Sequence, residues 1–204
     1  MSAGFLGCMT TPAQGNRIPD GALYAADNGK FGKGWPGAEA WFEWLTKTVT
    51  RYGAARCLWA VAPDIPFDAA GTLHESTPWL PRIRALGVPV AFAAQNGSEE
   101  PGMVPWDAID VLFLAGDTDW KLSRAAADLA LEAKTRGMAV HMGRVNSETR
   151  LRHAMAIGCD TADGTFLAFG PDANLKRITD WFARLPKRQP PHVSFPLFDD
   201  KAVR

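Results

Sequence analysis

The feature that most constrains this chain is a short apolar run that keeps returning, each time closed by polar residues. Such runs occupy 5–9 (FLGCM), 22–26 (ALYAA), 57–62 (CLWAVA), 88–94 (VPVAFAA), 111–116 (VLFLAG) and 139–143 (AVHMG), with a weaker one in 159–169 (CDTADGTFLAF). Near-continuous apolar runs of this length read as strands covered on both faces, the pattern of a parallel sheet. Between most of them lies helical periodicity. The stretch 37–53 puts Trp41, Trp44, Leu45 and Val49 on one stripe and stops at Gly53. Shorter helices are predicted over 77–87, closed by Gly87, and over 122–137, with Ser123 as N-cap and Gly137 as stop. Two more are predicted over 146–158 (Ser147 and Gly158) and 172–185.

Strands and helices alternating at this pitch make an α/β fold with parallel strands. A doubly wound sheet and a (β/α)8 TIM-like barrel both fit. No Gly-x-Gly-x-x-Gly comes after the first run, so the main sign of a dinucleotide fold is missing. Seven runs are one short of a full barrel. The expectation is therefore a compact barrel with one strand missing or irregular. The chain of 204 residues suits one core, placed at 1–185, with a Pro-rich tail over 186–204. The tail reads as extended, with Phe195, Leu197 and Phe198 available to clamp onto the barrel or a partner.

Lys and Arg number 22 and so do Asp and Glu, a formal net charge of zero. That counts against tight, sequence-blind nucleic-acid binding, though not against a local basic face. Cys8, Cys57 and Cys159 are odd in number and far apart, which argues against a disulfide framework, and without a Cys-x-x-Cys a structural zinc site is not expected. The histidines show no metal-ligand spacing, and His141, inside an apolar run, reads as a hydrogen-bonded core or rim residue. No run is long enough to span a bilayer and the N-terminus lacks a signal-peptide pattern, so the expectation is a soluble cytoplasmic protein.

The polar residues that close the runs are more informative. The ends bring Asp27, Asp64, Gln95-Asn96-Gly97, Gly116-Asp117, Arg144, and Asp160 with Asp163. In a parallel barrel these strand ends share one face, the face that carries active sites. Turn chemistry is the competing explanation, and Asp27-Asn28-Gly29 is good turn sequence. It accounts for one or two acids better than for a cluster, because gathered carboxylates repel one another unless a ligand or a reaction uses them. Lys30, Lys33, Lys121, Arg124, Arg144, Arg150 and Arg152 either line a phosphate path near this face or are solvated surface charges. Trp35 and Trp120 either stack bases or cap the barrel.

These residues resemble a known family. AADNGKF is similar to the Asp-Ser-Gly-Gly-Tyr/Phe motif of the tRNA-guanine transglycosylases, AVAPD to their strand ending in a base-reading Asp, and AFAAQNG to their Val-Gln-Gly segment. FLAGD resembles Gly-Gly-Leu, and the stretch from VHMGRVN to CDTADGT resembles the closing segment of that family. The zinc site of the family is absent, as is any added RNA-binding domain. The likeness is thus greatest to compact phage and bacterial relatives that place 7-deazaguanines in DNA. The resemblance implies a TIM-like barrel and exchange of guanine for a base such as 7-cyano-7-deazaguanine (preQ0) in DNA, or alternatively in tRNA. It implies no cofactor or metal. A non-catalytic 7-deazaguanine-binding or nucleic-acid-binding subunit is a further alternative. By the resemblance Asp163 is the nucleophile and Asp27 the general acid/base. Asp64, Gln95 and the Gly116 N–H read the base, Phe31 stacks on it, Asn28 and Asp117 flank it, and Lys30, Lys33, Lys121 and Arg144 approach the nucleic acid. Dimerisation cannot be carried over, since the family's dimers lean on the missing zinc segment.

Overall fold

The computed structural model describes residues 6–15 and 17–185. The tail over 186–204, with Phe195, Leu197 and Phe198, lies outside the described residues. Among the described residues seven strands form one sheet: β1 (Cys8–Thr10), β2 (Tyr24–Ala26), β3 (Cys57–Val61), β4 (Val90–Ala94), β5 (Val111–Leu114), β6 (Ala139–Met142) and β7 (Thr161–Ala162). Their order in the sheet is their order in the chain, and every neighbouring pair is parallel. Helices supply most of the crossovers: α1 (Ala38–Tyr52), α2 (Ala69–Ser76), α3 (Leu80–Ala85), α4 (Thr118–Lys121), α5 (Arg124–Thr135) and α6 (Glu148–Ala156); α7 (Pro171–Arg184) comes after the last strand.

The sheet is curled. Trp59 on β3 and His141 on β6 are three strands apart, about 14 Å in a flat sheet, yet their ring centroids are 4.7 Å apart. Alternation along each strand then sorts residues to two sides. Ala25, Trp59, Val61, Ala91, Ala93, Val111, Phe113 and Ala139 pack together inside the curl. Tyr24, Ala60, Phe92, Leu112, Leu114, Val140 and Met142 belong to the second and larger core, shared with the helices. Burial on both faces explains why the strands read as unbroken apolar runs. Among the described residues β1 and β7 do not pair with each other, so the α/β barrel is seven-stranded and open along one seam.

Local signals explain the helix boundaries. Ser123 and Ser147 cap α5 and α6, accepting from Ala126 N–H and Arg150 N–H. In α1 Trp41, Leu45 and Val49 are buried. The helix expected over 77–87 is shorter, and two helices without a periodic stretch of their own, α2 and α4, start at the side-chain caps Asp68 and Asp117. Asp160 is not on the strand-end face. It precedes β7, accepts from Val140 N–H and pairs with Lys134, while Asp110 does the same for Val90 N–H and Arg84. Both acids tie down the opposite end of the sheet. Among the described residues no helix is long and apolar enough to cross a membrane.

A candidate active site at the strand ends

β2 delivers Asp27, whose own N–H donates to Thr10 O of β1 and whose Oδ1 accepts from Gly29 N–H at 2.7 Å. Gly29 has φ of +78°, so the side chain does build a turn, in a conformation glycine adopts without strain. Burial raises the Asp27 carboxyl to about 6; the Gly29 bond works against this, and the charges of Asp163 and Asp64 add to it. The turn reading of this acid is met, and the same side chain stands at the strand-end face.

β3 delivers Asp64, which is buried and fully engaged. Oδ1 accepts from Asn28 Nδ2 at 2.8 Å and Oδ2 from Gln95 Nε2 at 2.6 Å. Asn28 Nδ2 also donates to Ala62 O, and Gln95 Oε1 accepts from Phe67 N–H. Burial raises the Asp64 carboxyl, against the opposing effects of Asn28, Lys30 and Gln95. This is a closed polar network binding the ends of β2, β3 and β4 together. Gln95, 2 % exposed, is a strut in it.

Behind β7 comes Asp163. Its Oδ1 accepts from His141 Nε2 at 3.2 Å and from Arg144 N–H at 3.1 Å. A carboxylate only accepts, so Nε2 carries the proton, and Nδ1 meets Thr161 Oγ1 at 2.8 Å. Burial alone would raise the Asp163 carboxyl, but the hydrogen bond and charge of His141, the Arg144 N–H and Lys121 together hold it below its ordinary value. Among the described residues no hydrogen bond occupies Oδ2 of Asp27 or of Asp163.

Arg144 and Phe67 are the two non-glycine residues with positive φ among those described, at 61° and 67°. They meet at this face. The Arg144 guanidinium lies 4.2 Å from the centre of the Phe31 ring and 5.7 Å from that of Phe67, and Nη2 donates to Ala115 O and Gly116 O. Phe31 and Phe67 are 62 % and 46 % exposed. Backbone strain of this kind gathers at functional sites, and here it stands beside two exposed rings. Lys121 is buried below, with Nζ donating to Gly143 O, and burial, with a smaller effect of Arg144, lowers it to about 8.

Other expected residues are placed differently. The Gly116 N–H donates to Ala94 O, and a side chain there would strike Trp120, so this glycine makes room for a neighbouring ring. Asp117 caps α4 and pairs reciprocally with Asn96. Lys30 pairs with Glu75 and lies over Trp35, and Lys33 is exposed. Trp120 is buried with Nε1 donating to Glu99, and Trp35 packs against the core, so both cap the barrel. His141, Thr161 and Phe67 belong to the site although no motif in the sequence marks them for it. Among the described residues no group of three His, Cys, Asp or Glu side chains is placed to hold a metal ion.

No family model matches the chain, and no curated protein matches it. Solved structures similar to it include the Bacillus subtilis YkuI protein, with an EAL domain, in complex with c-di-GMP and calcium. It is 13 % identical, with a TM-score of 0.44, over 82 % of this chain and 44 % of that one. The Vibrio cholerae LapD S helix-GGDEF-EAL protein bound to c-di-GMP is 13 % identical, with a TM-score of 0.46, over 70 % and 36 %. A mandelate racemase/muconate lactonizing enzyme from Roseiflexus sp. is 20 % identical, with a TM-score of 0.43, over 72 % and 40 %. The chain spans less than half the length of each. The resemblance to the tRNA-guanine transglycosylases is corrected by these comparisons: no model of that family matches, and these structural neighbours are EAL proteins and a racemase-type enzyme. Guanine exchange for preQ0 in DNA or tRNA, and DNA, tRNA or a 7-deazaguanine as partner, are withdrawn with it. The physical reasons lie in the site. Both Asp64 oxygens, the Gln95 amide and the Gly116 N–H, expected to read a base, are already paired within the protein. Of the four cations expected to approach a nucleic acid, Lys121 is buried, Lys30 is paired, and Arg144 is held on backbone carbonyls.

Proposed function

We propose that the strand-end face is the catalytic site of a glycoside-cleaving enzyme, with Asp163 as nucleophile and Asp27 as general acid/base. One observation carries the reading: two carboxyls on one face, near enough for the charge of Asp163 to raise Asp27, are pushed in opposite directions. Environments that separate two acids in this way divide them into a proton carrier and a standing carboxylate. Asp163, ionised and steadied through Oδ1, has Oδ2 to offer to an electrophilic carbon. Asp27 keeps its proton to about pH 6.

An acetal carbon uses that pair. Asp27 protonates the leaving atom as its bond to the sugar breaks, and Asp163 captures the oxocarbenium-like carbon as an ester. Asp27, now a base, then takes a proton from water, whose oxygen displaces Asp163 and releases the sugar. An acid-dyad peptidase would need the two carboxyls joined by one shared proton, and among the described hydrogen bonds none joins Asp27 to Asp163. The exposed Phe31 and Phe67 rings supply apolar faces for a sugar ring to lie against.

The test is a panel of 4-nitrophenyl glycosides at pH 5, read by 4-nitrophenolate release. The full chain should turn over at least one member, and the matching 2-deoxy-2-fluoro glycoside should leave its sugar mass on the peptide containing Asp163. Asp27→Asn should lose about 10²- to 10⁴-fold in kcat. No turnover across the panel together with no adduct would end the reading.

A further inference from the structure

The open seam between β1 and β7 is bordered by a cavity of about 680 Å³, within the size of small-molecule sites. Its inner wall includes Met9, Leu58 and Trp59, and its outer wall includes Leu151 and Met155 of α6 and Trp181 of α7. His141 and Asp163 line it too, so it is continuous with the catalytic face. Among the described residues its lining includes two aspartates and no Lys or Arg. Asp160 is already paired with Lys134, and the polar side chains that remain are His141, Thr161 and Asp163. Such a lining repels phosphates and other anions and favours a neutral apolar body.

We infer that the seam cavity holds an uncharged aryl or alkyl aglycone, bonded to the sugar carbon that Asp163 attacks. The inference rests on the glycoside-cleaving reading and names its substrate class: a neutral sugar conjugate with an apolar leaving group, its sugar on the strand-end face and its apolar part along the seam. Lengthening an alkyl aglycone should then raise kcat/KM by about fourfold for each methylene buried, until the cavity is full.

The occupancy is tested apart from activity with N-phenyl-1-naphthylamine, a neutral fluorescent probe, titrated into the full chain. One saturable site is expected. Met155→Trp narrows the cavity, and Gly7→Phe does so at a position with room, since a Cβ there meets Leu23 O at 3.6 Å and Leu58 Cδ1 at 3.8 Å. Each should weaken the probe at least tenfold while the melting temperature holds. Probe binding that ignores both filling variants overturns the site. Tenfold tighter binding on Phe195→Asp with Phe198→Asp overturns it also, by showing that the chain's own 186–204 segment is the occupant. If the probe behaves as expected but no glycoside is turned over, the catalytic reading falls and the apolar site stands. If glycosides are cleaved but rates are flat along the alkyl series, the aglycone assignment alone falls.

Discussion

Asp27 carries a cost that can be measured. Its carboxyl stands at about 6 in the folded protein against an ordinary 3.8, so between those values the folded chain holds a proton that the unfolded chain has released. The contribution of this one group to stability is therefore fully present below about pH 4 and declines as pH rises to 6, by about 3 kcal/mol. Asp27→Asn removes the charge while keeping the shape. It should match the wild type at pH 4 and exceed it at pH 7.5 by several degrees in thermal unfolding, although it costs activity. As the proposed acid/base it would set the alkaline limb, and kcat/KM should fall above about pH 6 with a one-proton slope. As the proposed nucleophile Asp163 would set the acid limb, and its carboxyl depends on His141. Burial pulls that carboxyl up and the His141 bond pulls it down, so His141→Ala leaves burial in command. Carboxyl NMR titration should then show Asp163 moved upward. An unmoved Asp163 would reduce His141 to packing.

Among the elements, α4 shows how closely the site is built against its supports. A Cβ on Gly116 would lie 2.4 Å from Trp120 Cε3 and 2.8 Å from Asn96 Oδ1, and neither can retreat, because Trp120 is buried and Asn96 is paired with Asp117. Gly116→Ala should therefore cost about 1–3 kcal/mol in urea unfolding, and a neutral result would mean that α4 is free to slide. The strands, α1, α5 and α6 were legible in the sequence because each has a run or stripe long enough to show its period, or a serine cap beside it. α2 and α4 were not, since 8 and 4 residues hardly complete a periodic pattern and their only marks, Asp68 and Asp117, are equally good turn formers. Asp27, Asp64, Asp117 and Asp163 were legible as acids after strands, Asp160 was set among them although it precedes β7, and their partners were not legible. Nothing in an apolar run distinguishes a His141 that meets Asp163 from one that fills space. Nothing in AAQNG says that the Gln95 amide turns inward to Asp64. Those are facts of curvature, and curvature is not local.

Across the whole molecule, the curl is what makes a site out of separate strand ends, and a few large side chains hold it. Alanines at 25, 91, 93 and 139 leave the lumen to Trp59, Phe113 and His141, whose ring centroids lie 4.6–5.4 Å from one another. Trp59 is the link between the early strands and the late ones, and it is 3 % exposed. With β1 and β7 unpaired among the described residues, the sheet has no closing ladder to keep its curvature once that link is gone. Trp59→Ala should cost about 3–5 kcal/mol as a core truncation. Its more telling effect should appear in protein that is still folded. Only Phe113 then stays against His141, the imidazole loses its support on the Trp59 side, and Asp163 should titrate upward as it does in His141→Ala. Trp59→Phe keeps a ring in the lumen and should restore most of the Asp163 behaviour while recovering only part of the stability. A Trp59→Ala protein that is destabilised but whose Asp163 titrates as in the wild type would mean that the lumen supports the fold alone, and that the catalytic face keeps its geometry from the hydrogen bonds at the strand ends.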